Sequence, residues 1–393
     1  MPREDRKRAI TEIQEARDGR LLISYITSTR QGLDVQMADD ALRLFYSHLD
    51  GNAESAKRGV DLFIHSNGGQ GTVPWRLVSL IREYTKQFAV LVPHRAFSAA
   101  TLVALGADEI IMHRMGCLGP IDPSVANGFN PPHPQVPGQL IPISVEDVSA
   151  FFKLVKDEVG INHEEELVQT INALTDKIHP LALGNVQRSH NQAKMMAKKL
   201  LKTHIEQEKE HTIEPIVENL KSNLFYHGHP INRNEAENDL NLKVKPAGEG
   251  LEKLMWALFA QYEDEMKLNE PFNLYREWEL GQASSPVPPP PTTAAIMAQL
   301  IPIFQAGLNF TNATAGQLAD LADAIHRHTA APVAGPTEVR LRGVLGAIIE
   351  SELKADMLKS DMLVDRISMQ SPTGGPQKLN RCEVIWQRWE EEQ

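Results

Sequence analysis

The chain has 393 residues, 42% of them hydrophobic and 23% charged, an ordinary balance for a folded globular protein and far from that of a disordered one. Single domains usually run to roughly 100–200 residues, so this length leaves room for more than one core. With 40 Lys and Arg against 51 Asp and Glu, the formal charge of −11 argues against a sequence-independent grip on nucleic acid. Cys117 and Cys382 form no metal or redox motif, and such sparse cysteine usage fits a reducing compartment. The charged N-terminal stretch is not followed by an apolar region, as a secretory signal requires. No run of about 18 apolar residues could span a membrane. The expectation is a soluble, cytoplasmic protein without a membrane span.

In chain order, residues 2–18 predict a short charged helix, followed by the strand LLISYITS at 21–28. ADDALRLFYSHL at 38–49 has helical spacing, and VDLFIH at 60–65 reads as a strand. A helix opens at Pro74, where a missing N–H costs nothing, and the strand FAVLVP follows at 88–93. A helix at 98–107 and a strand at 109–113 continue the alternation, which requires crossovers and a largely parallel sheet in an α/β fold. The proline-rich segment 127–142 has the length of a lid or binding loop. Helices are expected at 144–158, 163–177, 189–206, 212–224 and 251–266, with a short strand near 244. SSPVPPPPTT at 284–293 reads as a stiff linker, with helices at 294–308 and 315–328 and strands at 339–351 and 382–389 beyond it. The division expected is an N-terminal helix at 1–20, a catalytic domain at 21–280, a linker at 281–293 and a separable, helix-rich α+β appendage at 294–393.

Two motifs carry chemistry. Ser66-Asn67-Gly68-Gly69-Gln70-Gly71 sits at a strand end, where glycines permit positive φ and close approach of backbone to a ligand. An ordinary strand-to-helix turn is the plainer reading of such a sequence. Neither the dinucleotide-binding glycine pattern nor the GK[ST] ending of a phosphate loop is present, and no cofactor is expected. Ser98 follows a hydrophobic strand and opens a helix; an N-cap is the commoner role for such a serine. Small neighbours, Ala99 and Ala100, leave room for a substrate carbonyl, and a helix N-terminus favours developing negative charge. His227 and His229 form a lone His-x-His, which reads as surface loop histidines, and no metal is expected. Lys194, Lys198, Lys199 and Lys202 read as a solvated helix face.

HSNGGQGTV, HRAFSAATLVALGADEIIMH, LGPIDP and, more faintly, INRNEAENDLNLKV together resemble the Clp protease/crotonase superfamily. Within it they are most similar to the serine dehydrogenase proteinase family, relatives of signal peptide peptidase A. The resemblance covers residues 21–245 and implies a spiral α/β core, a peptide or protein substrate and a homo-oligomer. It also implies that Ser98 is the nucleophile and that the N–H groups of Gly69 and Ala99 form the oxyanion hole, with peptide lying extended beside Gly68 and Gln70. Ala100 departs from the glycine that many relatives carry after Ser-Ala. The Clp-type histidine is absent from Gly119-Pro120-Ile121-Asp122. Relatives of signal peptide peptidase use a lysine just ahead of a later helix, for which Lys177, followed by His179-Pro180, is the match. Lys153, Lys156 and His94 are rivals. The leading expectation is a serine peptidase with a Ser98–Lys177 dyad. The alternatives are a peptide-binding scaffold without a competent base and, further off, a crotonase-like acyl-thioester enzyme.

Overall fold

Leu21–Thr27 (β1), Val60–His65 (β2) and Phe88–Val92 (β3) are buried at every residue, the mark of parallel strands covered on both faces. A computed structural model of the chain describes residues 3–121, 124–125, 127–133, 140–222, 229–273, 276, 338–370 and 376–392. The chain divides into two units. The first comprises Met1–Pro271, Leu345–Lys359 and Arg388–Gln393, and the second Phe272–Val344 and Ser360–Gln387.

In the first unit, Glu109–Met112 (β4) and Val244–Pro246 (β5) extend the sheet beyond β3, every neighbouring pair from β1 to β5 being parallel. On the other edge come the parts of Glu338–Glu350 (β6), Ala355–Gln370 (β7) and Pro376–Glu391 (β8) that belong to this unit, from Leu345, up to Lys359 and from Arg388 respectively, giving the order β5-β4-β3-β2-β1-β6-β7-β8. The fold is thus mixed α/β with a large, largely parallel sheet, as the alternating pattern predicts.

Alternate residues of β1 serve opposite faces. Leu21, Ile23 and Tyr25 join one apolar cluster, Leu22 and Ile26 the other. Helices Ala41–Gly51 (α2), Val73–Tyr84 (α3), Ala99–Leu105 (α4) and Pro180–Leu201 (α5) cover the first face. Arg3–Ala16 (α1) and Glu249–Glu265 (α6) cover the second. Each fully buried Leu or Ile here contributes about 1.5–3 kcal/mol.

A boundary leaving 294–393 outside the core does not describe this unit. Ala347–Glu350 pairs antiparallel with Ser24–Thr27, and Glu350 is fully buried, accepting from Arg6 Nε and the Tyr262 hydroxyl at 2.8 Å each. A strand that completes a sheet need not be close in sequence, and a proline run upstream of it carries no information about its docking. Nor is α1 a separate element, since Arg6, Ile10 and Ile13 are fully buried. The expected linker and the helices at 294–308 and 315–328 lie outside the described residues. The second unit contributes extended segments of β6, β7 and β8 to the described residues.

Candidate active site

The two chemical motifs hang from the carboxyl ends of β2 and β3, where open parallel sheets place their ligands. Beyond β3, Arg95–Ala96 pairs in parallel with Cys117–Leu118, so the HRAFS and LGP motifs are adjacent. Ser66 N–H donates to Arg95 O, and Phe97 N–H to Ser66 O, both at 3.0 Å, which ties the glycine motif to the serine motif. Ser98 then turns the chain with φ 51° and ψ −114°. Such a backbone costs a non-glycine residue about 1–3 kcal/mol and persists only where its surroundings over-determine it. Thr101 supplies part of that constraint, its hydroxyl lying 2.7 Å from Ala96 O and accepting from Gly119 N–H at 3.1 Å. Ser98 does not cap α4 with its side chain, so the commoner N-cap role is not the one it fills.

Gly68 and Gly69 have φ of 103° and 157°. A Cβ on Gly68 would stand 2.7 Å from Phe97 O and 2.8 Å from Ala99 N, and one on Gly69 would stand 2.3 Å from Met37 O. Both positions therefore exclude a side chain, because the backbone of the serine turn and of Met37 is packed against them. Met37 N–H donates to Gly68 O at 2.8 Å, and Gln70 N–H donates to Met37 O at 2.9 Å. Successive N–H groups of extended chain point to opposite sides. With Gly68 O and Gln70 N–H turned toward Met37, Gly69 N–H is turned away from it. Ala99 N–H is likewise outside the helical ladder, since the following bonds run from Ala100 to Phe97 and from Leu102 to Ser98. These are two unengaged N–H groups, among the described residues, beside one serine.

Ser98, Ala99, Gly68 and Gly69 line a cavity of about 330 Å³. Asp34, Gln36, Asn67 and Thr72 form one wall; Ser189, Gln192 and Ala193 of α5 form another, with Leu102 and Ile121 the apolar part. Gln70 is exposed and is not among the lining residues, and its N–H and Gly68 O are engaged by Met37. The edge of residues 68–70 that faces Met37 is thus occupied by the chain itself.

Lys177 lies on the turn after helix 164–175, exposed and outside the cavity lining. Its neighbours do not desolvate it. His179 accepts from Leu181 N–H at 3.2 Å as the cap of α5, and its ring stacks on Phe129 with centroids 5.0 Å apart. The nine helical steps from Pro180 to Ser189 rise about 14 Å along the helix, more than a lysine side chain spans. Lys153 and Lys156 are also exposed and off the cavity. Lys194, beside Ala193, is paired with Glu214 at 2.8 Å and with Glu218, and the Glu214 hydrogen bond raises its pKa, away from that of a base. His94 stacks on His65 with centroids 5.5 Å apart and meets the tilted ring of Phe259 at 5.4 Å, outside the cavity. His229 is bound to Glu235 at 2.7 Å, while His227 and Asp122 lie outside the described residues.

Met37, Asp34, Ser189 and Gln192 escape a reading of the sequence. Met37 acts through its backbone, which no side-chain motif marks. The start of α5 was legible: a proline after a polar capping residue is a helix-start signal, yet Gly184 inside the pattern weighs against a helix and moves the expected start to 189.

Residues 52–148, the stretch that contains both motifs, match the family model of the ClpP-like SDH-type serine proteinases. Two uncharacterised proteins of Methanocaldococcus jannaschii, MJ1495 and MJ0137, are 38% and 39% identical over 66 residues, 17% of this chain and 23% of each relative. The chain thus spans about a quarter of the length of the curated relatives it matches. Among solved structures, a Ser-to-Ala mutant of the 1510-N membrane-bound stomatin-specific protease aligns over 58% of this chain and 80% of its own, at 12% identity and a TM-score of 0.32, too slight a likeness to carry the fold or the activity. Over residues 52–148, the chain resembles the ClpP-like SDH-type serine proteinases, as the motifs within that stretch imply.

Proposed function

We propose that the protein is a serine peptidase. Ser98 Oγ bonds to the peptide carbonyl carbon, the carbonyl electron pair moves to oxygen, and the N–H groups of Gly69 and Ala99 hold the oxyanion. Collapse expels the amine, which leaves with the proton taken from Ser98, and water then hydrolyses the acyl-enzyme. The observation that carries this reading is one strained, uncapped serine facing a cavity beside two unengaged N–H groups.

The finer reading makes Lys177 the proton carrier. It requires segment 164–179 to close over Ser98, or a second copy to deliver Lys177, because the amine stands outside the cavity in this arrangement. Two observations favour such a movement or contact. Helix 164–175 has no buried residue, and Val168 and Ile171 are exposed on it. The segment packs on a small apolar cluster of Ile143, Ala182 and Val186, the kind of local core that opens most readily. The homo-oligomer implied by the resemblance would use the same exposed face.

One observation favours a second reading, a peptide-binding scaffold: among the described residues, no amine or imidazole lines the cavity. A fluorophosphonate probe separates the two. Labelling of the wild type that disappears in Ser98→Ala supports the peptidase. Equal labelling of both proteins, or of neither, leaves the scaffold.

A further inference from the structure

We infer that the cavity selects peptides with a cationic side chain next to the bond held at Ser98, and that Asp34 is the residue that selects them. The inference rests on the peptide-binding reading of the cavity and adds its substrate class. Asp34 is the one ionisable side chain among the described residues that line the cavity. Its Oδ1 accepts from Asn67 Nδ2 at 2.8 Å, and Asn67 Oδ1 accepts in turn from Arg95 at 3.2 Å. Asn67 is the residue immediately before Gly68, so this relay fixes the carboxylate relative to the oxyanion strand. Arg95 stands behind Asn67, its guanidinium 5.2 Å from the centre of the Phe97 ring, and is not on the cavity wall. The second carboxylate oxygen carries no ion pair among the described residues, and the lining residues from α5, Ser189, Gln192 and Ala193, are neutral. A lysine or arginine side chain is attracted to this wall, and a glutamate is repelled. Because Asp34 is exposed, the attraction is that of a solvated pair.

The test measures binding of acetylated, amidated Ala-Ala-Xaa-Ala-Ala peptides, Xaa being Lys, Ala or Glu, to full-length Ser98→Ala protein by calorimetry. The order Lys, Ala, Glu is expected, with the Lys peptide about 1.4- to fivefold tighter than the Ala peptide, the range of an exposed ion pair. The difference should shrink in 1 M salt, where the screening length falls to about 3 Å. Asp34→Asn keeps an acceptor for Asn67 and should erase the preference; Asp34→Lys should reverse it. Equal affinities for the three peptides, or a Lys preference that survives in Asp34→Asn, would overturn the inference. Because the readout is binding, it stands apart from catalysis. A wild type that no fluorophosphonate labels but whose Ser98→Ala form shows the charge order would sink the peptidase reading and leave this one standing.

Discussion

The region around Ser98 and the segment that carries Lys177 are built in different ways. On one side, residues 66–71 and 95–101 are locked to each other and to Met37 by backbone hydrogen bonds of 2.8–3.0 Å, to Gly119 through the Thr101 hydroxyl at 3.1 Å, and by glycines with no space for a methyl group. On the other, segment 164–179 lies over a cluster of three buried apolar residues and leaves a whole helix without a buried side chain. The lesson is physical. Groups that stabilise an oxyanion act by being fixed before the reaction, so their positions are over-determined by packing. A proton carrier on a long side chain acts by reach and desolvation, and can be delivered by movement or by a neighbouring subunit.

The largest break in this comparison would come from Lys177→Ala. If the loosely held flank supplies the base, kcat for peptide hydrolysis should fall by about 10²–10⁴-fold, the range for general acid–base catalysis, while circular dichroism and solution mass stay unchanged. Full activity in Lys177→Ala, with loss in Lys153→Ala or Lys156→Ala, would move the role within the same flank. Loss in His94→Ala alone would move it to the rigid side.

Gly69→Ala attacks the rigid flank. A methyl group placed 2.3 Å from Met37 O must displace either the Met37 strand or the Gly69 N–H. Loss of one oxyanion donor typically costs about 10²–10³-fold in rate, so fluorophosphonate labelling should slow by that order. Unchanged labelling kinetics would show that Gly69 N–H does not hold the oxyanion.

The same contrast explains what the sequence disclosed. Fully buried parallel strands are continuous apolar runs, and the turns after them need glycine and small residues, so β1 to β4 and the two turns that carry Gly68, Gly69 and Ser98 are readable. Less legible were contacts made by backbone, such as Met37 on Gly69, and contacts made across great separation, such as Glu350 on Arg6, 344 residues apart. The helix that walls the cavity was found but started too late, because Gly184 counts against helix while its tertiary contacts through Ala182 and Val186 count for it. Lys177 stands out in the sequence by its place ahead of a helix, and sequence order holds no information on which way that helix runs past the serine.

Glu350 sharpens the comparison from the folding side. Its carboxylate is shared by Arg6 and Tyr262 in a fully buried site, so Glu350→Ala leaves a guanidinium without its main partner. Breaking a buried pair by removing one member typically costs about 3–5 kcal/mol. Arg6 retains Glu392 and, at 3.7 Å, Glu265, which places the expected loss near about 3 kcal/mol by urea denaturation. Truncation after Pro290 removes the strand as well and should give insoluble protein. A truncated chain that stays soluble and still labels would restore the separable appendage.

The smallest effect expected is a pH dependence stored beneath the rigid flank. His65 and His94 close β2 and follow β3, just ahead of the glycine and serine motifs; their rings stack on each other, and both meet the tilted ring of Phe259. Burial holds the His65 pKa well below its ordinary 6.5, with His94 and Arg95 adding repulsion; burial and then Arg95 lower that of His94 as well. Both rings are neutral in the folded state near pH 7, whereas the unfolded chain takes up protons as pH falls through 6.5. Stability is therefore fully present above that value and declines on acidification, until the folded protein can itself be protonated. Melting temperature should fall between pH 7 and pH 5, and His94→Gln should flatten that slope while leaving the stability at pH 7.5 nearly unchanged. A melting temperature that is flat across this range would remove the stacked pair as its cause, and one that falls equally in His94→Gln would remove His94 and leave His65.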